Sequence, residues 1–204
     1  MTKPDYLREN ALKLSGLRHV AGVDEAGRGP LAGPVAAAAV ILDPARLPAG
    51  LDDSKRMSEA AREALHDIIM RDALAVSLAL VPPATIDEIN ILQATFLAMR
   101  RALAALAIQP DHALIDGRDV PMGLVCPAEA IIGGDGLSAS IAAASIIAKV
   151  SRDRLMRRLG AACPAYAFEV HKGYGTVLHR KAIVEHGVSG HHRRSFAPCK
   201  NGTP

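Results

Sequence analysis

The chain has 204 residues, half of them hydrophobic, and a formal net charge of +3, a balance that excludes a disordered chain and a length that closes one core. Three tyrosines, three phenylalanines and no tryptophan exclude a binder that stacks successive bases on aromatic platforms. With 37 alanines, the interior must pack short side chains at short distances.

The opening MTKPDYLREN mixes both charge signs without an apolar run, so it does not read as a signal peptide. Residues 19–24 (HVAGVD) and 34–42 (VAAAAVILD) are apolar runs bounded by glycine and proline, which predict buried strands. Ser58 then introduces SEAAREALHDIIM, a helix with Ser58 as its N-cap and Ala61, Leu65, Ile68 and Ile69 on one stripe. A third strand, 73–81 (ALAVSLALV), stops at Pro82 and Pro83. A longer helix is predicted from Ile86 to Ala107, followed by strands at 113–116 (ALID) and 128–133. Ser138 or Ser140 caps the next helix, which runs toward Gly160 and reads as buried at its start and surfacing at its end. One short helix near 176–186 precedes a polar tail. Three consecutive strands followed by alternating strand and helix predict an α/β mixed sheet with helices on its faces.

The longest uncharged apolar stretches reach about 14 residues, too few for a bilayer that needs about 20. Cys126, Cys163 and Cys199 are widely spaced and lack a C-x-x-C pair, which argues against a disulfide framework or a thiolate zinc site. The expectation is a cytoplasmic protein with no membrane association. From Lys149 onward there are eleven Lys or Arg against three acids, and five of the eight histidines. Such a region is either an ordinary solvated face or a polyanion surface, and charge alone does not decide between them.

The chemistry gathers where strands stop. Asp24 and Glu25 end the first strand and run into Gly27-Arg28-Gly29; Asp116 ends the fourth and precedes Gly117; Asp135 precedes Gly136. An Asp-Gly pair is an ordinary turn signal, but two adjacent acids ending an apolar strand repel each other and gain nothing from burial. A hard divalent cation relieves that repulsion, because Mg²⁺ prefers oxygen ligands and joins carboxylates to phosphate. Neighbours on a strand point to opposite faces, so Glu25 reaches the same site only if the chain already turns there, or through its backbone carbonyl. The glycines allow close backbone approach to a ligand and Arg28 can fork onto phosphate, although neither the dinucleotide fingerprint nor the P-loop spacing is present. Asp153 stands four residues after Lys149, which favours an ion pair over a metal ligand. His191 and His192, with no cysteine or acid nearby, read as basic, structural or phosphate-facing rather than as zinc ligands.

Taken together, AGVDEAGRGPLAGPV (21–35), LDDSKRMSEAAREAL (51–65), LIDG (114–117), GGDGLSASIAAASIIAKVSRDRLM (133–156), HKGYGT (171–176) and HHRRSFAP (191–198) resemble ribonuclease HII, the bacterial type 2 ribonuclease H. The resemblance implies a ribonuclease H-like fold: a five-stranded mixed sheet flanked by helices. It implies a catalytic domain over 18–204, with 166–204 as a basic helical C-terminal appendage and 1–17 as an N-terminal segment. It implies that Asp24, Glu25, Asp116 and Asp135 are the catalytic, metal-holding acids, with Mg²⁺ or Mn²⁺ as cofactor. Gly27, Arg28 and Gly29 would contact the ribose 2′-hydroxyl, Tyr174 would pack on the sugar after the ribonucleotide, and Lys55 and Lys149 would face the substrate backbone. The implied activity is two-metal-ion hydrolysis of the RNA strand of RNA–DNA hybrids. It extends to nicking duplex DNA 5′ of embedded ribonucleotides, leaving 5′-phosphate and 3′-hydroxyl ends, by a monomer. The basic C-terminal quarter would then neutralise phosphates. The extra N-terminal domain of ribonuclease HIII is not seen, and the polar ending CKNGTP predicts no clamp-binding peptide. The alternatives are a non-catalytic nucleic-acid-binding module on the same fold, for which the intact acids are unexpected, and a recombinase-like nuclease, which would need further domains.

Overall fold

Apolar runs bounded by glycine and proline become β1 (Val20–Ala26), β2 (Val35–Ile41), β3 (Ala75–Val81), β4 (His112–Asp116) and β5 (Ala128–Ile131). In the computed structural model, which describes residues 3–52 and 54–200, they form one sheet of order β3-β2-β1-β4-β5. The chain ending 201–204 lies outside the described residues. β1 pairs antiparallel with β2, and β2 with β3. β1 pairs parallel with β4, and β4 with β5. The change of sense at β1 brings the C-terminal ends of β1, β4 and β5 to one edge, where sites of open α/β sheets collect. Val23 is in register with Ile115, so Asp24 and Asp116 are the next residues along neighbouring strands.

Helices cover both faces. α2 (Glu59–Asp72) and α4 (Ala139–Ala162) pack with Ala38 and Val40 on one side. α3 (Pro83–Ala104) packs with Ala21 and Val23 on the other. α2 starts after Ser58, whose hydroxyl accepts the Ala61 N–H at 3.2 Å. Of the two candidate caps for α4, Ser138 is the one used, accepting from Ile141 N at 3.2 Å. The C-terminal region adds α5 (Phe168–His171), α6 (Val177–His186) and α7 (Ala197–Lys200). Among the described residues, no helix is long and apolar enough to cross a membrane.

Three features depart from the expected elements. α3 begins at Pro83 and ends at Ala104, and it is broken at Asn90, whose φ of 66° and ψ of 165° lie in a region favouring glycine. The Asn90 side chain accepts from the N–H groups of Leu92 and Gln93 at 3.0 and 3.1 Å, acting as a cap inside the helix. The piece before the break carries Asp87, which accepts the N–H groups of Arg194 and Ser195, each at 2.8 Å. The N-terminal segment, given no element from sequence, contains α1 (Leu7–Leu14). Its Glu9 is fully buried at the N-terminus of α4, where it accepts from Ser138 Oγ at 2.6 Å, Ser140 N at 2.9 Å and the Ser140 hydroxyl. A carboxylate there meets the positive end of the helix dipole. The second half of α4 surfaces only in part, because Arg152 and Met156 are buried against the C-terminal region and Asp153 is buried beside Lys149.

Helix and sheet come very close at Gly22 of β1, where an added Cβ would lie 2.0 Å from the Ser140 carbonyl carbon. Backbone cannot yield as a side chain does, so Gly22→Ala must separate β1 from α4. We expect a loss of about 3 kcal/mol in urea unfolding. Unchanged stability would show that the contact is not needed.

Candidate functional site

Three carboxylates converge at the shared strand edge. One oxygen each from Asp24, Asp116 and Asp135 lies within 4.8 Å of the other two. Asp24 stands in β1, Asp116 is the last residue of β4, and Asp135 sits in a 3-10 turn, Gly134–Gly136, that leads into α4. Asp116 Oδ1 accepts the Gly134 N–H at 2.7 Å, so the strand-end acid itself shapes the turn that presents Asp135. Asp24 accepts the Glu25 N–H at 2.7 Å.

Burial pushes the Asp24 carboxyl well above the usual carboxylate range, with the charges of Glu25 and Asp116 adding to it. A hydrogen bond with Ser145 pulls the other way, and Ser145 is itself 2.8 Å from Ser54. Burial and then the charge of Asp135 raise Asp116, against the pull of the Gly134 N–H. These acids stand in a field that disfavours their charged form, and a cation among them would reverse it. A donor set made only of carboxylate oxygens fits a hard divalent ion such as Mg²⁺ or Mn²⁺ and not a soft one.

Glu25 is differently placed. β1 continues through Ala26, so Asp24 and Glu25 are successive strand residues whose side chains leave opposite faces. The Glu25 carboxylate lies 3.3 Å from the Arg28 guanidinium. Its pKa is raised by burial and by Asp116, while Arg28 holds it down. Glu25 and Asp116 border two cavities, one of about 230 Å³ shared with Asp24 and one of about 300 Å³ against α3 and Arg118.

The larger part of the sequence-derived set surrounds the first cavity: the Gly27–Gly29 turn, Lys55, Lys149 and Tyr174 all border it. Gly27 has a φ of +91°, and a Cβ there would lie 2.0 Å from Arg152 Nε, so conformation and space both require glycine. Tyr174 is 45% exposed, and its ring edge passes 3.9 Å from where a Cβ on Gly29 would stand. The Lys55 ammonium is 3.3 Å from Asp135. The Lys149 ammonium is 2.8 Å from Asp153, the ion pair that their spacing favours; Asp153 is not among the converging acids.

Sequence reasoning missed the two buried arginines beneath this wall. Arg193 is fully buried and donates to the carbonyls of Gly27 at 2.6 Å, Arg28 at 2.8 Å and Gly33 at 2.9 Å. Arg152 is 1% exposed and donates to Pro34 at 2.9 Å, Ala32 at 3.1 Å and Lys172 at 3.0 Å. Burial lowers both pKa values, that of Arg193 to about 9, with the charge of Arg152 contributing. Part of the basic C-terminal quarter is therefore internal. Arg154 and Arg157 are also committed, pairing with Glu63 at 2.5 and 2.6 Å. The HRR pattern was visible in the sequence, but it has no local feature that distinguishes a buried arginine from a solvated one.

Comparisons with known proteins agree with one another. The family model for Ribonuclease HII matches residues 21–199. The ribonuclease HII of Brucella ovis is 57% identical over 198 residues, covering 97% of this chain and 90% of the relative. The crystal structure of ribonuclease H2 from Pyrococcus horikoshii is similar with a TM-score of 0.76 at 28% identity, covering 91% of this chain and 97% of that one. The ribonuclease HII in the PCNA:RNase HII complex from Archaeoglobus fulgidus gives a TM-score of 0.74 at 28% identity, covering 88% and 96%.

Proposed function

The chain belongs to the ribonuclease HII family and is a metal-dependent endoribonuclease with a ribonuclease H-like fold, and from that premise we propose its substrates and its chemistry. It cuts the RNA strand of RNA–DNA hybrids and nicks duplex DNA on the 5′ side of an embedded ribonucleotide. The observation that carries this reading is that Asp24, Asp116, the Gly27–Gly29 turn and Tyr174 border one cavity.

Asp24, Asp116 and Asp135 are the groups that would hold the divalent ions, with Glu25 sharing charge from the border of the two cavities. Two such ions, when bound, supply activation of a water and charge stabilisation at the phosphate. The water oxygen bonds to phosphorus as the P–O3′ bond breaks, and a proton passes to the departing oxygen, leaving 5′-phosphate and 3′-hydroxyl ends. Gly27 and Gly29 let the backbone come close to the ribose, where a 2′-hydroxyl distinguishes RNA from DNA. Arg28 and Lys55 bring positive charge to the cavity, and Asp153 steadies Lys149 beside it. The Tyr174 ring packs on the following sugar, where an extra hydroxyl fits poorly. The protein acts as a monomer, with 18–204 as the catalytic unit and the segment from 166 onward as its basic appendage.

The test is a labelled DNA duplex with one ribonucleotide, incubated with Mg²⁺ or Mn²⁺, and the nick mapped. A nick immediately 5′ of the ribonucleotide is expected. No nick, or one indifferent to the ribose, would reject the reading. In the same assay Tyr174→Ala should lower cleavage at the isolated ribonucleotide by about tenfold more than cleavage of a long hybrid. Equal losses on the two substrates would count against sugar packing.

A further inference from the structure

The C-terminal region buries three histidines that the proposed chemistry does not use: His171, His179 and His192 are 7%, 0% and 2% exposed. They cluster around Phe168, whose ring centroid is 5.5 Å from that of His179 and 5.6 Å from that of His192. The His171 and His179 rings stack at 4.2 Å. Such packing leaves no solvent to satisfy the ring nitrogens, so each must find a partner within the protein.

Those partners determine the tautomers. His179 Nδ1 lies 2.9 Å from the Tyr174 carbonyl oxygen, which can only accept, so this nitrogen carries the proton. His179 Nε2 is then bare and accepts from His192 Nε2 at 3.0 Å. His192 Nδ1 in turn accepts the Ser189 N–H at 3.0 Å. In His171 the order is reversed: Nδ1 accepts the Gly173 N–H at 3.1 Å and Nε2 donates to the Tyr166 carbonyl at 2.8 Å. With all three rings neutral every donor faces an acceptor, and the Ser189 hydroxyl, 2.9 Å from His192 Nδ1, joins the same chain. Burial lowers the pKa of each, that of His192 to about 4.

The chain of bonds ends on Tyr174. Its carbonyl takes the His179 proton and the Thr176 N–H at 2.8 Å, while its own N–H donates to the His171 carbonyl at 2.9 Å. The Tyr174 backbone is thus held by the cluster while its ring leans into the cavity. His192 is also the neighbour of Arg193, which holds the Gly27 and Arg28 carbonyls on the facing wall. Two consecutive residues therefore set the ring and the glycine turn relative to each other.

We propose that Ser189, His192 and His179 form a neutral imidazole relay that positions Tyr174 for the sugar following a ribonucleotide. His179 and His192 are positioning residues for selectivity between an isolated ribonucleotide and a long hybrid. The proposal rests on the role of Tyr174 given above, and the test separates the two.

The ratio of kcat/KM on a single-ribonucleotide duplex to kcat/KM on a long hybrid is measured for wild type, Tyr174→Ala, His192→Ala, His192→Gln and the Tyr174→Ala/His192→Ala double variant. His192→Ala should lower the ratio by about tenfold, as Tyr174→Ala does, with no further fall in the double variant. Gln at 192 keeps an N–H toward His179 and should recover most of the ratio. A changed ratio in Tyr174→Ala with an unchanged ratio in His192→Ala overturns the relay alone, as does a loss that multiplies in the double variant. An unchanged ratio in Tyr174→Ala overturns the sugar-packing role and the relay with it. Should His192→Ala not fold, nitrogen NMR of the wild-type imidazoles at pH 7 decides. Protons on His192 Nε2, His179 Nδ1 and His171 Nε2 support the relay, and a charged ring or the opposite tautomer at His192 or His179 overturns it.

Discussion

Asp24→Asn is expected to abolish cleavage, by about a thousandfold or more, while raising the melting temperature of the metal-free protein. The loss follows from removing one of three converging carboxylates. The gain follows from the field in which Asp24 stands, where burial and then Glu25 and Asp116 raise its pKa in the folded chain. A raised carboxyl pKa means that the folded state holds the proton more tightly than the unfolded one. Stability is therefore greatest below the unfolded value near 3.9 and is lost as pH rises through the folded value. As pH climbs above the unfolded value the wild-type protein carries a growing penalty, and asparagine, which has no charge, removes it. Each kcal/mol recovered is worth about 3 °C in a chain of this size. Thermal melts at acid and neutral pH, with and without Mg²⁺, check both parts. The advantage of the variant should shrink toward acid, and Mg²⁺ should raise the wild-type Tm much more than the variant's. A variant that cleaves normally, or that gains as much from Mg²⁺ as wild type, contradicts the metal-site assignment.

Arg193→Ala should be the most damaging change away from the acids. It leaves the carbonyls of Gly27, Arg28 and Gly33 without the donor they share, those of Gly27 and Gly33 in a buried place. Each buried acceptor so abandoned costs about 1–3 kcal/mol, and with partial relaxation we expect a total near 4 kcal/mol. Arg193→Lys should recover little, because one ammonium on a flexible stem cannot reproduce a planar fork serving three carbonyls. Denaturant unfolding gives the stability. Cleavage measured at a temperature where the variant is fully folded should still be reduced, because the turn beside the cavity is no longer held. A lysine variant with wild-type stability and activity would show that the fork is dispensable.

The strands and the acids were legible in the sequence for a shared reason: both leave local signatures. Apolar runs ending at glycine announce β1 and β4, and the carboxylates at their ends announce a site before any contact is known. Ser58 and Ser138 announce helix starts because a cap acts over three residues. What escaped depends on contacts distant along the chain. Arg193 meets Gly33 across a separation of 160 residues, and Glu9 meets Ser140 across 131. Neither periodicity nor spacing reports such a pair, and a charged residue defaults to the surface in any local reading. Asn90 escaped because the hydrophobic pattern of α3 runs on through the break, and only the backbone angles reveal it. Glu25 was legible as an acid but not in direction. The strand alternation that made its role ambiguous is what the structure retains, with Arg28 as its partner.

The short side chains of the interior have a consequence for how the carboxylates are held. The strand beside Asp24 carries Ala36, Ala37, Ala38 and Ala39, all fully buried; Ala38 meets Ala142, Ala143 and Ala144 of α4, while Ala37 and Ala39 face α3. Alanine has no rotamers to lose on folding and none to exchange afterwards. Leucines or methionines beneath a site can repack when a charge arrives above them, and each alanine in their place removes one such alternative arrangement. Asp24 is thereby held by its strand and by Ser145, Asp116 by its strand and the Gly134 N–H, and ion binding meets a platform with little to reorganise.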